Sequence, residues 1–172
     1  MSDFFTTIRR RHSVRHYQAD MPVEAEKLHA ILESAISAPS AGDLQAYQIG
    51  VIEDAAHRAA LAQITEQQFI SEAPVCLAFC TDAEHSALTF GDRGRDLYAL
   101  QDATIAATYA QLAAAAAGLA SAWVGYFDDV EVTRLLDLPP NLRAVALLTV
   151  GYPAELPEAT TRRRLDDIIF HP

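Results

Sequence analysis

The sequence predicts an α+β domain in which helices cover a sheet and the two chain ends reach outward. Three observations carry that prediction. Pro74 to Thr81 and Arg143 to Gly151 are nearly continuous apolar runs of strand length, as expected of strands buried on both faces. Val23 to Ser37 places Leu28, Ile31, Leu32, Ala35 and Ile36 at helical spacing, and Asp96 to Gly118 is a long Ala-rich helix closed by its glycine. Strands and helices alternate without a strict βαβ rhythm, and the long tail from Pro153 to Pro172 lies outside any core pattern.

The remaining elements follow in order. Asp3 caps a short helix over Phe4 to Arg11. Pro39 stops the second helix, and Ser40-Ala41-Gly42-Asp43 is turn chemistry. Tyr47 to Glu53 reads as a strand, and Asp54 opens a helix to about Thr65. Residues 82–95 read as a connection, with Gly91 to Asp96 an exposed loop of mixed charge opening the long helix. Ser121 to Phe127 is a strand. A helix then starts at Asp128 and Asp129 and ends near Leu136, before Pro139-Pro140.

The 172 residues are 51% hydrophobic and 21% charged, enough for one packed domain and against disorder. The net charge of −10 disfavours nucleic acid and anionic membranes as partners. Split by position, residues 16–161 hold 6 basic and 20 acidic residues, whereas the two ends hold 7 basic and only 3 acidic ones. Two cysteines, Cys76 and Cys80, point to one face of a strand too far apart to bridge, and read as small buried apolar residues. The first 20 residues contain no apolar secretory core, so a cytoplasmic location is the expectation. Thr104, Thr108, Gln111 and Ser121 interrupt the Ala103–Phe127 stretch, which makes it a poor membrane span. A helix apolar nearly all round suggests burial, in so short a chain against a second subunit. No metal constellation, P-loop or G-x-G-x-x-G fingerprint is present.

Four segments bear on chemistry. In extended Arg11-His12-Ser13-Val14-Arg15, residues 11, 13 and 15 share a face. Two guanidiniums and a hydroxyl there suit a phosphate, and a solvated basic arm is the alternative. Pro39 to Tyr47 sets a tight backbone beside the Gln45 amide, which suits a flat polar ring or an ordinary helix-to-strand turn. Gly125, in Ala122-Trp123-Val124-Gly125-Tyr126-Phe127, marks a bulge or a close approach of another group. Thr160-Thr161-Arg162-Arg163-Arg164 is by itself a basic tail.

Their order along the chain resembles the FMN-dependent nitroreductase family. Arg11-His12-Ser13-Val14-Arg15 matches that family's Arg-x-Ser-x-Arg/Lys phosphate motif, and Ala38 to Gln45 is similar to its Pro-Ser-x-x-Asn-x-Gln-Pro-Trp turn. Glu72 to Val75, Leu100-Gln101-Asp102, Gly118-Leu119, Trp123 to Phe127 and Val150 to Pro153 complete a match over nearly the whole chain. The resemblance implies a nitroreductase-like fold, a central mixed sheet flanked by helices in a domain-swapped homodimer, with FMN at the subunit interface. Arg11, His12, Ser13 and Arg15 would hold the phosphate and ribityl end, joined by Arg162 and Arg163. Pro39, Ser40 and Gln45 would come from the other subunit to the isoalloxazine ring, and Gln67 would stand near its pyrimidine. Gly125, with Tyr126, would offer a backbone N–H to flavin N5, leaving hydride exchange to the flavin with no catalytic side chain. Phe90 and Tyr98 are candidate lining residues of the substrate pocket.

Departures from the family pattern are Asp43 for the usual Asn, Ala46-Tyr47 for Pro-Trp, and Thr160 where larger members carry Lys. The 82–95 connection is too short for their helical excursion and implies a more open or smaller pocket. The function implied is NAD(P)H oxidation with hydride passed through FMN to a nitroaromatic, quinone or flavin by a ping-pong order. Alternatives are a flavoenzyme of the same fold with dehydrogenase or dehalogenase chemistry, and a non-catalytic flavin- or partner-binding module.

Overall fold

The computed structural model describes residues 3–158 and 160–172. Helix α1 (Phe4–Arg10) starts where Asp3 Oδ1 accepts the Thr6 amide at 3.0 Å. It is followed by α2 (Ala25–Ile36), β1 (Tyr47–Ile52), α3 (Ala55–Thr65), a single turn α4 (Phe69–Glu72) and β2 (Val75–Asp82). Then come α5 (Ala83–Arg93), a π-helical turn (Gly94–Tyr98), α6 (Ala99–Ala116), β3 (Ala120–Val124), α7 (Asp129–Leu135) and β4 (Leu142–Gly151).

The four strands form one sheet in the order β1-β2-β4-β3, and every pairing within it is antiparallel. The expected mixed sheet is thus corrected. The parallel element is an isolated bridge, Ser13 to Ser121, that lays the N-terminal arm along β3. Pairing direction depends on how distant segments meet, so no local pattern encodes it.

Alternation along β2 builds two cores. Val75, Leu77 and Phe79 face α2 and α6, meeting Ile31, Ala35, Ala106 and Ala110. Cys76, Ala78 and Cys80 face α3, α4 and α7, meeting Leu61, Ile70 and Val132. The same strand is buried on both sides, which is why it reads as an unbroken apolar run. A bulge in β4 sets two residues of spacing against one in β2: Phe79 pairs with Ala146 but Cys80 with Ala144. Val145 is the extra residue, so Ala144 and Ala146 end up in opposite cores. Both cysteines are free, and burial pushes their thiols up, Cys76 to about 12 and Cys80 to about 11.

The 82–95 segment is also corrected. It is helix α5, capped by Asp82, whose Oδ1 accepts the His85 amide at 3.0 Å. Its two glycines serve a backbone kink and a close packing contact rather than a loop. Gly91 takes φ 59° at a kink, and a Cβ on Gly94 would fall 2.5 Å from the Ser86 carbonyl oxygen. The segment therefore folds back on itself as a short helical hairpin. It carries Phe90, packed edge-on against Tyr98.

Helix α6 is buried along Ala99, Ala103, Ala106, Ala107, Ala110 and Ala114, and leaves Leu100, Thr104, Thr108 and Tyr109 exposed. None of the described residues forms a helix long and apolar enough to cross a membrane.

Candidate functional site

The arm after α1 is extended, and its alternation is the one expected. Val14 is buried, and Arg11, Ser13 and Arg15 turn away from the core. The Val14 amide donates to the Ser121 carbonyl at 3.1 Å, the Gln18 amide to Tyr152 at 3.0 Å, and the Ala154 amide to His16 at 2.9 Å. Beneath it, buried Tyr17 donates its hydroxyl to the Val14 carbonyl at 2.9 Å and lies 2.7 Å from Thr149 Oγ1. Thr149 Oγ1 accepts the Ala122 amide of β3 at 3.1 Å. One polar node therefore fixes the arm to the strand that ends beside Gly125. Burial holds the Tyr17 phenol far above its ordinary value, so it remains a neutral donor.

Among the described residues, neither Arg11 nor Arg15 forms an ion pair. Arg11 and His12 line a groove of about 470 Å³ that runs past Gly118 and Ser121 to Pro153 and Leu156 and contains no acidic residue. The Arg15 guanidinium lies 5.9 Å from the ring of Phe69, the first residue of α4. Gln67 is half-buried, and its backbone is fixed by bonds from its amide to the Ala62 carbonyl and Thr65 Oγ1. Gly125 and Tyr126 leave the end of β3 exposed, Tyr126 at 89%. Gly125 is exposed, and a Cβ there would meet Trp123 Nε1 at 3.1 Å, so a side chain would crowd the indole.

The 39–45 turn lies elsewhere. Gly42, Asp43 and Gln45 all take positive φ, of 57°, 56° and 49°. Ser40 Oγ accepts the Gln45 amide at 3.0 Å, and the Gln45 side-chain amide donates to the Ile36 carbonyl at 2.7 Å, while Pro39 lies exposed. Phe90 reaches this turn, its Cζ 3.0 Å from where a Gly42 Cβ would be. Tyr98 braces Phe90 edge-on at 5.2 Å, and Arg93 donates to the Tyr98 hydroxyl at 3.0 Å. Burial raises the Tyr47 phenol, and the Asp102 charge adds to that. Along the strands Tyr47 and Ser121 differ by six residues, and across the sheet by three strand spacings, a separation of roughly 25 Å. One chain therefore keeps Arg11, Ser13 and Arg15, on the arm beside β3, apart from Pro39, Ser40, Gln45 and Phe90 at the β1 side of the sheet.

Arg162 and Arg163 also stand apart. Their bonds lie within the tail, Arg162 to Thr160 and the Thr161 carbonyl, Arg163 to the Asp167 carbonyl. Sequence reasoning missed the anchors Tyr17 and Thr149 and assigned Asp102 no role. Thr149 and Asp102 each left a signal: a polar residue inside the apolar β4 run, and a lone acid in an Ala-rich helix.

Comparison with known proteins agrees with this architecture. The Nitroreductase family model, described as "Nitroreductase family", matches residues 8–72 and 65–152, and the chain belongs to that family. A Thermus thermophilus NADH dehydrogenase is 30% identical, with 98% of this chain and 95% of the relative covered. The NADPH:FMN oxidoreductase of Vibrio harveyi, solved in complex with NAD+, superposes with a TM-score of 0.90 at 26% identity, covering 99% of this chain and 77% of that one. An FMN-dependent nitroreductase from Clostridium difficile gives 0.83 at 26% identity, covering 98% and 99%.

Proposed function

We propose that this chain is an FMN-dependent NAD(P)H oxidoreductase that passes hydride to a small conjugated acceptor. The carrying observation is the Arg11–Ser13–Arg15 face. Two cations without ion pairs among the described residues and a hydroxyl project from a backbone that is bonded along β3 at Ser121, and that donor set fits a phosphomonoester. Arg11, Ser13 and Arg15 would bind the phosphate and ribityl end, with His12 at the groove wall. Gln67 would meet the pyrimidine edge, and the Gly125–Tyr126 backbone would donate to the ring. FMN, when bound, supplies the hydride chemistry, so the protein's part is to bind, orient and exclude water. A shared open site with no separate dinucleotide fold supports a ping-pong order, in which NAD(P)H and a nitroaromatic, quinone or flavin acceptor occupy one place in turn.

The site is completed by a second copy in this reading. The roughly 25 Å between arm and turn supports it, as do the exposed apolar side chains of α1 (Phe4, Phe5), the outer face of α6 (Leu100, Tyr109) and the tail (Leu165, Phe170). A swapped tail would deliver Arg162 and Arg163, and the partner's turn would supply Pro39, Ser40 and Gln45, with Phe90 and Tyr98 at the acceptor's side.

The test is the absorption spectrum of the purified protein, followed by anaerobic addition of NADH or NADPH. A yellow protein bleached by one of them, with flavin lost in Arg11→Ala, is expected. A colourless protein that takes up no added FMN overturns the reading.

A further inference from the structure

We propose that Asp102 is a positioning residue for the flavin-ring contacts, acting through the Ala41 amide to hold the 40–45 turn in shape. This rests on the reading that the turn meets the flavin ring. Asp102 is 2% exposed and is the single acidic side chain buried among the described residues. Its Oδ1 accepts the Ala41 amide at 2.9 Å, across 61 residues of sequence, and its Oδ2 has no partner among the described residues. A carboxylate kept out of water at this position is costly, and the bond to Ala41 is the one it makes.

The turn needs such a hold. Three of its residues take left-handed backbone angles, and two of those, Asp43 and Gln45, are not glycine. Its own bonds close the loop, Gln45 amide to Ser40 Oγ, and fasten its C-terminal end to α2, Gln45 side chain to the Ile36 carbonyl; the Ala41 end is held by Asp102. Asp102 ties it from beneath, and Phe90 covers Gly42 from the other side. Ser40 and Gln45 thereby keep one orientation without Asp102 touching the ligand.

Riboflavin and FMN are the probes, titrated by fluorescence quenching into the full-chain protein. Riboflavin shares the ring and lacks the phosphate, so it separates the two ends of the site. Asp102→Ala is expected to weaken both ligands about tenfold with their affinity ratio unchanged. Arg11→Ala should weaken FMN alone. Asp102→Asn keeps an oxygen acceptor for Ala41 and should restore most of the riboflavin affinity. Asp102→Leu, which removes the acceptor for Ala41 and fills a similar volume, should weaken riboflavin as well and carries the test if Asp102→Ala does not fold. In the flavin-free protein, the Ala41 amide should exchange faster in Asp102→Ala than in wild type. Unchanged riboflavin affinity in Asp102→Ala or Asp102→Leu, or a loss confined to FMN, overturns this proposal alone. A wild-type protein that binds neither probe overturns the functional reading and this proposal together.

Discussion

The two arginine-bearing ends of the chain are built in opposite ways. The arm at residues 11–17 is sewn to the sheet by the Ser13–Ser121 bridge, buries Val14 and Tyr17, and rests on Thr149. The described tail beyond Pro153 is exposed throughout, its arginines bonded only to their own neighbours, with Phe170 82% exposed. The same residue type is thus pre-organised at one end and unplaced at the other. An arm fixed before a ligand arrives loses little freedom on binding it, whereas in the reading proposed above the tail gains its packing only against a second copy.

The strongest way to break this contrast is to delete residues 157–172. Monomers in sedimentation and a fall in FMN affinity of about a hundredfold are expected, since the tail's phosphate contact and the assembly that completes the proposed site are removed at once. An unchanged assembly with full flavin content would remove the tail from the site. The next test is Thr149→Val, which leaves the Tyr17 hydroxyl and the Ala122 amide short of a partner. Chemical denaturation should show a loss of about 1–3 kcal/mol, with weaker FMN binding. Stability falling without any change in FMN binding would separate the node from the arm.

A smaller effect concerns the floor of the arm, where Cys76 shares a core with Val14 and Tyr17. Its thiol value is raised in the fold from 9.0 to about 12, and that of Cys80 from 9.0 to about 11. Both favour the neutral form in the native state, so their stabilisation is complete below pH 9. It drains away as the pH climbs through about 11 and then about 12. Unfolding free energy should decline across that window, and more gently in Cys76→Ala. Equal slopes in both proteins would discount the thiol. The smallest expected difference lies between Arg162→Ala and Arg163→Ala. Neither should change the melting temperature, since exposed ion contacts contribute little. One of them should weaken FMN several-fold in the titration, and that identifies the arginine meeting the phosphate.

Much of this organisation can be read from residues alone, where the pattern is local. β2 and β4 announce themselves as apolar runs because both their faces are covered, and the arm's alternation at residues 11–15 survives folding intact. What escaped reading is non-local. Thr149 reaches Tyr17 across 132 positions and Asp102 reaches Ala41 across 61, so neither contact leaves a spacing to recognise. Helix α5 escaped for another reason. Gly91 and Gly94 look like loop punctuation, yet Gly94 is small because the Ser86 carbonyl occupies the space a side chain would need. The bulge at Val145 is likewise invisible, since its neighbours are apolar on both sides.

The wide separation of turn and arm within one chain makes the proposed site a matter of mass action. A binding site divided between two copies exists only to the extent that the copies are together, so dilution dismantles it as surely as a mutation does. Apparent affinity for flavin would then climb with protein concentration, and bound flavin would in turn draw dilute subunits into pairs.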